Sequence, residues 1–107
     1  MFESVLPQVP QVTSPDLAEQ LGKPEEPFIV DVREPDEYAG GRIPGSRLIP
    51  LGSLAGRMTE IPSDREVVVV CKSGGRSTAA CKHLQAAGYR VSNLIGGMIG
   101  WRGPVER

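Results

Sequence analysis

The chemistry-bearing residue types of this chain concentrate in one segment, Cys71-Lys72-Ser73-Gly74-Gly75-Arg76-Ser77. A thiol stands beside two adjacent glycines and two cations. Glycine lets the backbone turn sharply and aim successive N–H groups at one point. A helix beginning about Arg76 would add its free N–H groups and the positive end of its dipole. The pattern predicts a small anion-binding cradle with a thiol at its floor. A free cysteine titrates near pH ~8.5, and such surroundings lower that value. The thiolate is the nucleophile. The loop amides from Lys72 to Ser77 would then hold an incoming anion or a sulfur after transfer.

Each residue also has a plainer reading. Most cysteines are small buried hydrophobes, and on local physics alone that reading of Cys71 stands level with the nucleophile. Arg76 is read as an anion ligand, because its planar fork suits oxyanions; the competing reading is a helix-start residue with its head in solvent. Ser73 and Ser77 are hydroxyl donors to a ligand, or they cap and turn the backbone. The segment lacks the spaced Gly-Lys-Ser/Thr ending of a nucleotide phosphate loop.

Asp31 and Arg33 follow a buried run and share a strand face. A structural ion pair is expected, because buried charges need partners; such a pair can also hold the active loop in shape. Cys81 lies ten residues after Cys71, inside a predicted helix, too far away for a disulfide. His83, the only histidine, falls well down that helix and is read as a solvated surface residue with no role as a base. Cys71, Cys81 and His83 do not match zinc-ligand spacing. Trp101 is read as a packing residue at the core or rim.

The elements that position these residues can be read in order. Residues 1–12 carry Pro7 and Pro10 and read as an extended lead-in. Ser14-Pro15-Asp16 reads as a helix start with Ser14 as N-cap, and Gly22 ends that helix. Phe28 to Val32 is a buried strand. Pro35 to Tyr38 suggests one helical turn, stopped by Gly40-Gly41. Arg47 to Ile49 is a second short strand, and Leu51, Leu54 and Met58 have helical spacing. Glu66 to Val70 carries four successive valines, which implies burial on both faces of a parallel sheet. Arg76 to Ala87 is the clearest helix, ended by Gly88. Val91 to Ile95 is the last strand. Strands alternating with helices predict an α/β fold with a mainly parallel sheet. Cys71 then sits at the carboxyl end of a buried strand, where such sheets bind ligands.

Composition sets the outer bounds. The chain has 107 residues and reads as one domain, 1–107. Hydrophobic residues are 39% and charged residues 23%, which fits a globular rather than a disordered chain. A net charge of −1 points to neither nucleic acid nor an acidic membrane surface as partner. Two cysteines are too few for a disulfide framework. The segment Met1 to Val5 does not read as a signal peptide, and no apolar run is long enough to span a bilayer. A cytoplasmic location is expected.

Three stretches together resemble the rhodanese homology domain over nearly the whole chain. They are Asp31 to Tyr38 continuing through Gly41 to Ser46, Cys71 to Ser77, and Leu94 to Trp101. The resemblance implies a three-layer fold, with a central, mainly parallel sheet flanked by helices. It implies a sulfurtransferase in which Cys71 takes sulfane sulfur from a donor such as thiosulfate and carries it as a persulfide. The acceptor would be cyanide in vitro or a thiol in the cell. The loop residues Lys72 to Ser77 would bind the donor, and neither a metal nor an organic cofactor is implied. Cys71 through Arg76 make six residues, which resembles the sulfur-transferring members; the phosphatase and arsenate-reductase branches have one residue more. The cations Lys72 and Arg76 resemble thiosulfate-using members. A sulfur-relay or regulatory role toward a protein partner uses the same cysteine and stays open. One departure is Arg42, where the family often has histidine; it is read as structural or near the rim.

Overall fold

The computed structural model describes residues 9–107. Residues 1–8 of the lead-in lie outside them. Gln11–Val12, at its end, form the edge strand β1. The other strands are β2 (Phe28–Asp31), β3 (Arg47–Leu48), β4 (Glu66–Val70) and β5 (Arg90–Leu94). All pair in parallel, in the order β1-β5-β4-β2-β3. The helices are α1 (Ser14–Gln20), α2 (Pro35–Ala39), α3 (Leu54–Arg57) and α4 (Gly75–Ala86). Short 3-10 turns at Leu51–Ser53 and Met58–Glu60 flank α3, and another spans Gly97–Gly100. The fold is α/β, as the alternating pattern predicts.

Strand parity divides the core in two. Side chains alternate across a strand, so Val67, Val69 and Cys71 face one way and Val68 and Val70 the other. The first set packs with Ala80, Cys81 and Leu84 of α4, Leu54 of α3, and Val30, Val32 and Val91. The second packs with Leu17 of α1, Ile29, Ile43, Leu94 and Trp101. Cys71 therefore continues the face that α4 covers, and its side chain comes to lie under the start of that helix.

The topology places a crevice beside it. The connection leaving β2 leads to β3 on one side, and the connection leaving β4 leads to β5 on the other. Where neighbouring strands diverge like this, their carboxyl ends open a ligand crevice. Val32 donates to the Val70 carbonyl at 2.9 Å and keeps the two strand ends together.

One local expectation is corrected. Thr13, not Ser14, is the N-cap of α1, and its hydroxyl accepts from the Asp16 amide at 3.2 Å. Ser14 is buried instead, and its Oγ accepts from the Arg102 amide at 2.9 Å. That bond ties the C-terminal segment to α1, a tertiary use of the hydroxyl that local pattern does not reveal. Gly22 and Gly88 end their helices with φ of 80° and 93°, in the left-handed region that favours glycine.

Candidate active site

Cys71 follows β4 directly, and the chain then turns through Ser73 and Gly74 into α4. Gly74 has φ 114°, a conformation that costs glycine little and other residues much. That turn points the Gly74 amide back at the cysteine, and it donates to Sγ at 3.0 Å. Ser77, in the first turn of α4, brings its Oγ to 3.3 Å from the same sulfur. Burial pushes the Cys71 thiol up. The Ser77 hydroxyl and the amides of Ser77, Gly74 and Ser73 pull the other way and prevail, so the thiol lies below its ordinary value. The residue is 1% exposed.

Cys81 has the same chemistry and the opposite environment. It is a free, buried thiol one helical turn beyond Ser77. Burial, and then the charge of Cys71, push it up to about 12. The two thiols are thus pushed in opposite directions. His83 is exposed on α4.

The two loop cations are placed differently. Lys72 is exposed and lines an open cleft with Arg33, Glu37, Met98, Ile99 and Val105, among others. Arg76 does not extend free into solvent. It donates from Nη1 and Nη2 to the two carboxylate oxygens of Glu37 on α2, at 2.8 and 2.9 Å. The Arg76 hydrogen bonds, followed by a hydrogen bond from the Glu34 amide, lower the Glu37 carboxyl to about 2. Glu37 therefore holds a cation of the loop, a contact that sequence reasoning did not single out; its partner lies in another signature, and no local spacing links them.

Asp31 and Arg33 form a buried ion pair beside the strand ends. Arg33 donates from Nε and Nη2 to both carboxylate oxygens of Asp31, at 2.8 to 3.1 Å. Its Nη2 also reaches the Gly41 carbonyl at 2.7 Å, and its amide donates to Asp31 Oδ1 at 3.0 Å. The pair thus ties the end of β2 to the turn after α2. Arg42 lies over the Tyr38 ring, 4.9 Å from its centroid, and pairs with Glu106 at 3.5 Å. Arg42 and Glu106 also exchange both backbone hydrogen bonds at 2.9 Å.

Gly97 is a second position that sequence reasoning passed over as one glycine of a turn. The amides of Met98 and Ile99 donate to the carbonyls of Cys71 and Lys72 at 2.8 and 3.0 Å. Gly97 lies so close to these carbonyls that a Cβ there would be 2.5 Å from each. The Gly97–Gly100 turn is a backbone brace under the first two residues of the loop. Trp101 is buried behind it and donates from Nε1 to the Pro104 carbonyl at 2.8 Å.

Both the sequence and the fold have counterparts among known proteins. The family model for the rhodanese-like domain matches residues 13–103. The chain belongs to the rhodanese-like family. A relative named as a sulfurtransferase, from Allochromatium vinosum, is 45% identical over 94 residues, covering 87% of this chain and 88% of that one. The thiosulfate sulfurtransferase GlpE of Pseudoalteromonas translucida is 33% identical over 78 residues, covering 72% and 74%. The crystal structure of a rhodanese-like domain protein from Staphylococcus aureus superposes with a TM-score of 0.86 at 30% identity, covering 92% of this chain and 97% of that one. These likenesses support sulfur transfer as the general class of chemistry of this rhodanese-like chain. Among the described residues no helix is long and apolar enough to cross a membrane.

Proposed function

We propose that this protein transfers sulfane sulfur from a small anionic donor of the thiosulfate type to a thiophilic acceptor, with Cys71 as the carrier. The observation that carries the reading is the sulfur of Cys71 at the floor of a loop, met by the Gly74 amide and the Ser77 hydroxyl, with its thiol lowered. The Cys71 thiolate attacks the outer sulfur of thiosulfate. An S–S bond forms, the bond from that sulfur to the sulfonate sulfur breaks, and sulfite leaves with the electron pair. The terminal sulfur of the persulfide is then attacked by cyanide or a thiolate, and Cys71 departs as the thiolate. Two half-reactions through one covalent intermediate give ping-pong kinetics. The loop amides from Lys72 to Ser77 stabilise the terminal sulfur, and Lys72 and Arg76 attract the donor.

The hydrogen bonds from the Gly74 amide and the Ser77 hydroxyl favour the thiolate and so support Cys71 as the nucleophile. The name of the GlpE relative supports thiosulfate as donor. A carrier thiol must be reduced at rest, which fits the cytoplasm. After treatment with thiosulfate, mass spectrometry should find one added sulfur on Cys71, removed by cyanide. A Cys71→Ala protein with full transfer activity would overturn the reading.

A relay to a protein acceptor is favoured by one feature. Ile99 and Val105, 63% and 50% exposed, border the cleft beside Lys72. If discharge of the persulfide to small thiols is slow and discharge to a protein thiol is fast, the relay is the cellular role.

A further inference from the structure

Asn93 is buried in the middle of β5 (4% exposed), on the face that α4 covers. Asparagine is depleted in strands, and a buried amide needs partners for both its ends. Its Oδ1 accepts from the Ser77 hydroxyl, and its Nδ2 donates to Gln11 Oε1 at 3.0 Å. Gln11 lies exposed on the edge strand and donates from Nε2 to the Val9 carbonyl at 3.3 Å. A continuous polar path therefore runs from the Cys71 sulfur through Ser77 and Asn93 to the sheet edge.

Ser77 has one hydroxyl hydrogen and three acceptors around it: Cys71 Sγ at 3.3 Å, the Gly74 carbonyl at 3.2 Å, and Asn93 Oδ1. The Gly74 carbonyl already accepts from Thr78 through its amide at 3.1 Å and its hydroxyl at 2.6 Å. The real competitors are Asn93 and the sulfur. We propose that Asn93 is a positioning residue for Cys71, turning the Ser77 hydroxyl hydrogen toward or away from the sulfur according to which end of its own amide faces Ser77.

With Oδ1 toward Ser77, the hydrogen points to Asn93, and Ser77 is free to accept from a neutral thiol. A thiolate or persulfide has no hydrogen to give and is the stronger acceptor. Ser77 then donates to sulfur, and two bare oxygens would face each other unless the amide turns over. Turned, Asn93 donates from Nδ2 to Ser77, and its Oδ1 accepts from Gln11 Nε2. The turn changes no volume, because amide O and N are nearly the same size. Water replaces the partner that Gln11 leaves at the edge. Only an amide serves both states; a carboxylate serves the thiol state alone. The other groups that share charge interactions with Cys71, Arg76 and Cys81, are untouched by this exchange.

The inference rests on Cys71 as the nucleophile of the proposed function, but its test needs no sulfur donor, so the two can fail separately. The rate of Cys71 alkylation by iodoacetamide is followed against pH. Asn93→Asp should move the profile to higher pH and slow alkylation at neutral pH about tenfold, the size of one hydrogen bond to a charged group. Most of that slowing should disappear when Ser77→Ala is added. Equal slowing with and without Ser77 would mean bare charge repulsion and overturn the proposal, as would an unchanged profile. A second measurement uses the native chain: the Asn93 side-chain amide resonances should move with the same pH midpoint as Cys71 alkylation, and stay still in Ser77→Ala. Resonances that ignore the ionisation of Cys71 would also overturn it.

Discussion

Arg76 and Glu37, 39 residues apart, hold each other by two parallel hydrogen bonds of 2.8 and 2.9 Å. One belongs to the start of α4 and the other to α2, so the bond closes one side of the active loop. Bidentate pairs of this kind fix geometry as well as charge. The cation nearest the loop's end is thus partly neutralised before any donor arrives.

Removing the carboxylate should sharpen the loop for anions. In Glu37→Gln, Arg76 keeps its place with less competition, and KM for thiosulfate should fall by up to about fivefold. That corresponds to the ~0.2–1 kcal/mol typical of a partly exposed pair. The change should shrink as salt is added, while kcat moves less. Arg76→Ala should raise KM instead. Steady-state kinetics at low and high salt decide this; an unaltered KM in both variants would remove Arg76 from donor binding.

The same pair gives a signed pH dependence. Glu37 is lowered from 4.5 to about 2 in the folded chain, first by the Arg76 hydrogen bonds. A depressed carboxyl contributes its stability above the unfolded value and loses it as pH falls through the folded one. Wild type should therefore lose stability relative to Glu37→Gln between pH 4.5 and about 2, and the difference should be constant above that window. Both side chains are about one-third exposed, so screening keeps the effect within about 1 kcal/mol. Urea unfolding of the two proteins across that range measures it.

How much of this site could be read beforehand follows from the range of each signal. Cys71 and its glycine turn were legible because a valine-rich strand, a thiol and two glycines are contiguous. Strand parity, a local rule, also places Cys71 under α4. Glu37 was not legible, since its partner is fixed by how α2 and α4 pack and not by spacing. Asn93 did leave a signal: an amide in the middle of a strand, in step with buried Val91, needs a buried partner. Which partner depended on the register of β5 against β1 and the approach of α4. Ser14 shows the same limit, because its hydroxyl is used by Arg102 at the other end of the chain.

The Asp31–Arg33 pair predicts a large loss from a small change. Asp31→Asn leaves Arg33, 6% exposed, as a buried cation without its counter-ion. Breaking one side of such a pair costs about 3–5 kcal/mol, a large share of the roughly 5–15 kcal/mol that holds a domain. Replacing both partners with apolar residues, as in Asp31→Leu with Arg33→Met, should recover much of the loss, because no charge is then stranded. Urea midpoints of the single and double variants test this. A single variant as stable as wild type would show that water reaches Arg33.

Gly97 offers the most direct test of the brace beneath the loop. An alanine there brings a Cβ to 2.5 Å from the carbonyls of both Cys71 and Lys72, at a residue with φ 56°. Backbone cannot rotate out of the way as a side chain can, so the loop or the turn must shift. Overpacking of this kind typically costs about 1–3 kcal/mol, and the left-handed conformation adds about 1 kcal/mol more. Because the displaced atoms belong to Cys71 itself, sulfur loading from thiosulfate should fall even where the protein remains folded. Gly56→Ala is the matched control. It lies in α3 with nothing within 4 Å of its Cβ, and should stabilise by about 0.5–1 kcal/mol with loading unchanged. Loading followed by mass spectrometry, beside urea unfolding of both variants, separates the two effects. Normal loading by folded Gly97→Ala would mean that the turn supports the fold without shaping the active loop.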